Sequence, residues 1–282
     1  MRVYKHQMKP MKLSLLKIIL LVPIILFALF YITGVIVVSQ DDRFVAPLAQ
    51  PPVNSKLIAI LGASGTAGDG ILKAAMKSSD IEEIHVITRR VTPRMEQGIK
   101  SGKVQVTLHK DYLDYSAVTD QLAEIDAVYW AIGINSLGVD EKTYRMIHVD
   151  FPVKFVEAWS GVSQKNDIAF HYISSSDISD ESTAMWAREK VRAEKSLFAF
   201  AKDSKMRVIA YRPDYIGPTE EEAHIGQQML YWFFAPVGAA VRAEQIGQAM
   251  LEVSARWHEF ENGDKLSTSK IIRYSNAYEG RL

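Results

Sequence analysis

The stretch LIAILGASGTAG, residues 57–68, constrains this chain more than any other. A short apolar run enters a turn in which Gly62, Gly65 and Gly68 recur as G-x-x-G-x-x-G. The first glycine permits a tight turn. The second lets a pyrophosphate approach the backbone, and the third lets the next helix pack close to the strand. Free N–H groups at that helix start suit phosphate, and the hydroxyls of Ser64 and Thr66 can add bonds. Placed between a predicted strand and a predicted helix, the motif reads as a dinucleotide-binding turn.

The pattern that follows supports such a fold. Short apolar runs at 57–61, 84–88, 104–108, 126–133, 168–174 and 206–213 read as strands. Helical stretches fall between them, at about 67–77, 141–160 and 183–204. Strands that are apolar on both faces suit a parallel sheet covered on both sides. The expected architecture is a doubly wound α/β domain over 56–282, with a small C-terminal lobe from about 214 that could hold substrate. In that tail, 229–238 is markedly aromatic and 241–253 reads as an amphipathic helix. The aromatic run suits an apolar substrate cavity, a membrane interface or plain packing.

The second strand ends in Thr88, Arg89 and Arg90, where an NAD-selective site would carry an acid for the ribose 2′-OH. Two guanidiniums there match the oxygens of a 2′-phosphate, so NADP is favoured. Asp111 and Tyr112 follow the third strand and either hold the adenine or form an exposed turn. Ala131, Ile132 and Gly133 end the fourth strand, where small residues let a nicotinamide ribose lie against the backbone.

Taken in order, GASGTAG, TRR, VYWAIG, ISSS, the helix carrying Lys190, and YRPDYIGP resemble an atypical short-chain dehydrogenase/reductase, with the NAD(P)-binding Rossmann fold. The branch they resemble is the Tat-interacting-protein-like oxidoreductases, and the likeness runs from about Lys56 to Leu251. It implies that Ser175, or else Ser174, binds a substrate carbonyl. It implies that Lys190 bonds the nicotinamide ribose, and that Pro213 and Ile216 lie beside the nicotinamide. The proton-donating tyrosine of the family falls on Trp186, four residues before Lys190. An indole N–H donates but does not titrate, so it cannot serve as a general acid near neutral pH. Tyr144, Tyr215 and His224 are the groups that could reach in instead. Two functions follow: an oxidoreductase on an apolar small molecule, with Trp186 closing the space beside the carbonyl, or a catalytically silent NADP-binding scaffold that docks a protein partner.

Ahead of this domain, residues 18–38 form an apolar run of 21 residues with no charge. A helix of that length spans about 30 Å, the thickness of a bilayer core. A basic segment, 1–17, precedes it, and a proline-rich linker, 39–55, follows. A single-pass membrane anchor is expected, since a cleaved signal peptide would have a shorter apolar core. The flanking charges favour a cytosolic N-terminus and place the domain on the far side. NADP chemistry favours the cytosol; a helix kinked at Pro23 and dipping into one leaflet reconciles the two.

Other chemistries are disfavoured. There are no cysteines, which excludes disulfides and thiolate sites. The seven histidines form no H-E-x-x-H, so no metal site is expected, and no G-x-S-x-G marks a serine hydrolase. Lys+Arg and Asp+Glu both number 33, a balance that argues against nucleic-acid binding.

Overall fold

The computed structural model describes residues 11–41, 43–48, 56–219, 221 and 224–281, with side chains from residue 21 onward. The predicted basic segment before residue 11 and linker residues 49–55 lie outside the described residues.

Seven parallel strands form the central sheet: β1 Leu57–Leu61, β2 Glu83–Thr88, β3 Val104–Leu108, β4 Ala127–Trp130, β5 Ile168–Ile173, β6 Met206–Arg212 and β9 Lys265–Ser267. Their spatial order is β3-β2-β1-β4-β5-β6-β9. The order reverses between β1 and β4, which opens a crevice above their carboxyl ends, the place where ligands bind in such sheets. Alternation along β1 explains the two cores. Ile58 and Ile60 face one side, with Ile71, Met250 and Trp257. Ala59 and Leu61 face the other, with Trp130, Phe155, Phe170 and Leu197. Side chains that alternate in this way bury both sheet faces.

The connecting helices are α2 Thr66–Lys77, α3 Pro93–Lys100, α4 Thr119–Leu122, α5 Glu141–Arg145, α6 Phe151–Val162 and α7 Met185–Ala201. The helix expected over 141–160 is continuous but contains a π-helical turn, Met146–Asp150, between α5 and α6. Proline supplies the reason. Pro152 has no N–H to give the carbonyl of His148, and Phe151 N–H reaches back to Met146 O instead. The freed His148 carbonyl accepts from the Tyr172 hydroxyl at 3.0 Å.

The segment after 214 is more ordered than its sequence suggests. It forms β7 Tyr215–Gly217, α8 Ile225–Phe234, β8 Ala240–Arg242, α9 Ala243–Ala255 and α10 Thr268–Glu279, in addition to β9. β7 and β8 pair with each other in a separate two-stranded parallel sheet. β9 joins the main sheet beside β6, with Tyr211 opposite Leu266. The aromatic run is α8 and the turn after it.

The N-terminal helix α1, Met11–Ser39, carries a stretch, Leu21–Ser39, of mean hydropathy 2.8 that is long and apolar enough to cross a membrane. A signal sequence has the same character. α1 packs against the end of α8 and the turn after it. Phe27 stacks on Phe233 with centroids 6.2 Å apart, and the Tyr31 hydroxyl donates to Phe233 O at 2.8 Å. Below α1, Asp41 pairs with Arg43 and with Arg273 of α10.

Candidate functional site

The glycine turn is built as its spacing requires. Gly62 has φ +88°, and a Cβ there would stand 2.5 Å from the Ala131 carbonyl carbon. A Cβ on Gly68 would meet Gly62 O at 2.1 Å, so the start of α2 sits directly on the turn. Gly65 precedes α2, whose first N–H groups have no capping side chain. Ser64, Gly65 and Thr66 line a cavity that continues to Arg90.

A second, adjoining cavity of about 630 Å³ is bounded by Gly62, Ser64, Thr88, Arg89, Arg90, Tyr112 and the 131–134 loop. Arg89 and Arg90 are exposed at its rim, with Arg90 3.5 Å from Ser64 O. Of the two residues considered for the adenine, Tyr112 lines this cavity. Asp111 instead accepts from Leu113 N–H at 3.0 Å, an exposed turn.

The far side of the 131–134 loop depends on the π turn. His148 is buried, and its Nε2 lies 3.2 Å from both the N–H and the carbonyl of Ile134. Burial, then the charge of Lys190, hold its pKa down at about 2, so the ring is neutral. A Cβ on Gly133 would lie 2.9 Å from the His148 ring. Gly133 and His148 therefore fit only each other, and the histidine fixes the loop that forms the crevice wall. This positioning role was not foreseen from the sequence.

Beyond the loop, a cavity of about 640 Å³ is lined by Ala131, Gly133, Ser174, Ser175, Trp186, Lys190 and Ile216, with Tyr144 and Tyr215. Ser174 is buried and its Oγ has no partner among the described residues, while Ser175 is half-buried. Pro213 lies outside the lining; its carbonyl accepts from Ser176 N–H at 3.1 Å and ties the strand end to the serine loop. Lys190 is buried, and its Nζ donates to Ile173 O at 3.0 Å and sits 5.2 Å from the Tyr172 ring centre. Burial lowers its pKa from 10.5 to about 7, against the opposing pull of Glu194. Two ion pairs fix α7 in register: Glu189 with Arg145, and Glu194 with Arg212. Trp186 lies one turn before Lys190 on the same cavity.

The alternative proton donors separate clearly. Tyr144 stacks on His148 at 4.1 Å, and burial alone pushes its phenol up to about 12. Its hydroxyl has no hydrogen-bond partner among the described residues. The Tyr215 hydroxyl is engaged with Gln227 O at 3.3 Å. His224 is exposed at the start of α8, on the neighbouring cavity. Among the described residues no cluster of His, Asp or Glu has the makings of a metal site.

These features define a doubly wound α/β domain whose crevice holds a glycine turn at one end and a serine–lysine pair at the other. Its fold is that of the short-chain dehydrogenase/reductases. The chain superposes on such an enzyme from Serratia marcescens with TM-score 0.61 and 16% identity, covering 77% of this chain and 97% of that one. A short-chain dehydrogenase/reductase from Saccharomyces cerevisiae gives TM-score 0.57 and 15% identity over 76% and 96%. BdcA, solved in complex with NADPH, gives 0.58 and 16% over 75% and 92%. No family model matches the chain. In sequence it is 29% identical over 175 residues to the leucinostatins biosynthesis cluster protein T of Purpureocillium lilacinum, and the match spans 61% of either chain.

Proposed function

We propose that this protein is a membrane-anchored NADP-dependent oxidoreductase acting on an apolar carbonyl or alkene. The observation that carries this reading is the single 640 Å³ cavity onto which Ser174, Ser175, Lys190 and the unengaged Tyr144 phenol all face. The residues fit the cofactor. The turn at Gly62–Gly68 would take the pyrophosphate, Arg89 and Arg90 the 2′-phosphate, and Lys190 the ribose hydroxyls. When bound, NADPH supplies a hydride. On a carbonyl substrate, Ser174 or Ser175 would donate a hydrogen bond to the oxygen. Tyr144 would deliver the proton that completes the alcohol, in place of the phenol that Trp186 does not provide. Trp186 would bound the apolar part of the substrate.

A second reading is favoured by Trp186 itself. With an indole at the usual phenol position, the domain binds NADP as a silent scaffold for a protein partner. One set of measurements separates the two. The full chain in detergent is titrated with NADPH and NADH, and tighter NADPH binding that is lost on replacing Arg89 and Arg90 with Ala is expected. Turnover of apolar aldehydes by the natural protein, abolished by Lys190→Ala and reduced at least tenfold by Tyr144→Phe, supports the enzyme. Turnover only after Trp186→Tyr supports the scaffold. Failure to bind either dinucleotide overturns both.

A further inference from the structure

Helix α8 is built inside out. Its glutamines, Gln227 and Gln228, face the protein, where Gln228 accepts from Arg242 at 2.9 Å and Gln227 reaches the substrate cavity. Its apolar residues face outward: Ile225 is 82% exposed, Met229 62% and Trp232 63%, with Leu230 and Phe233 beside them. The helix carries no charge and no buried residue. A helix on a water-facing surface has the opposite arrangement.

Its neighbour indicates what covers it. α8 and the following turn touch α1 at three heights: Phe27 and Tyr31 on Phe233, Gly34 against Val237, and Val38 against Gly238. Asp41, held by Arg43 and Arg273, marks the charged limit of that helix. Phe27 lies twelve residues before Ser39 in α1. At about 1.5 Å per residue that is about 18 Å of helix, slightly more than the ~15 Å hydrocarbon depth of one leaflet. A span seated at its charged end therefore carries α8 down with it.

We propose that α8 is embedded in the same bilayer leaflet as the C-terminal half of α1, which brings the mouth of the substrate cavity to the lipid. This rests on α1 being a membrane span. It adds a monotopic contact and assigns the substrate to molecules dissolved in the membrane. The partner is the acyl region of the bilayer, since the exposed face offers no charge and, apart from the Trp232 indole N–H, only apolar side chains to whatever covers it.

The absence of cysteine makes the test direct. Single variants Met229→Cys, Phe30→Cys and Lys100→Cys of the full chain are spin-labelled and reconstituted in phosphatidylcholine vesicles. Collision with oxygen is compared with collision with a water-soluble nickel chelate. The proposal expects the Met229 label to favour oxygen as strongly as the Phe30 label, and the Lys100 label to favour the chelate. A lipid-exposed Phe30 label with a water-exposed Met229 label overturns it and leaves the anchor standing. A Met229 label shielded from both reagents means that a second protein surface covers α8, and also overturns it. Water exposure at Phe30 removes the anchor and the inference together. NADPH titration of the same samples reports the cofactor site independently.

Discussion

Lys190 carries a proton at a cost that the fold imposes. It is buried without a carboxylate at its amine, and its pKa of about 7 lies below the 10.5 of an open chain. Unfolding therefore takes up a proton between these two values. The penalty on the native state is absent above about 10.5, grows as pH falls, and is complete below about 7. Each pH unit in that window is worth up to about 1.4 kcal/mol. Lys190→Met is expected to melt higher than the natural protein at pH 7, with the difference shrinking as pH approaches 10. Calorimetry across that range checks it, and a constant difference would place the amine in water. Single residues also show what could be read in advance. The glycines at 62, 65 and 68 were legible because an apolar run ended on them, and Lys190 because it lies one helical turn from Trp186. Tyr144 was legible only as one of three groups that could reach in, and His148 not at all, because both come to the cavity through contacts far apart in sequence.

Among the elements, the π turn shapes the crevice proposed for the cofactor. Its cause, Pro152, is one residue, and a proline after a helical start looks like any other N-terminal proline. The widened turn turns His148 toward Gly133, and the pair holds the 131–134 wall. Gly133→Ala would force the ring aside. We expect at least a tenfold weaker NADPH binding with a loss of stability of about 1 kcal/mol, roughly the lower end for overpacking. Fluorescence titration beside urea unfolding separates the two effects; a fully retained affinity would mean that the loop yields without moving the crevice. α8 was legible as aromatic, but its sequence does not say which way the aromatic side faces. Only the glutamines on the inner side decide that.

Across the whole molecule, the helices on one side of the sheet are clamped through glycine. Gly70 of α2 lies so near α9 that a Cβ would stand 2.2 Å from the Ala243 carbonyl carbon. Gly70→Ala is expected to separate α2 from α9 and destabilise by about 1–3 kcal/mol or more, read as a lower urea midpoint with an unchanged slope. A midpoint that does not move would show that α9 shifts freely. The six strands up to β6 were readable because most of them are near-continuous apolar runs, whereas the short helices α3 and α4, which bury few side chains, were not. β9 was not, because Lys-Leu-Ser offers one buried side chain, Leu266, and borrows the rest of its stability from β6.

That late strand sets the timetable of synthesis. Translation delivers the first six strands and α9 before Lys265–Ser267 leaves the ribosome. Through that interval β6 presents a row of bare amides and carbonyls, the kind of template on which nascent chains pair with one another. Slower passage from Arg212 to Lys265 would lengthen the period in which that edge stands uncovered.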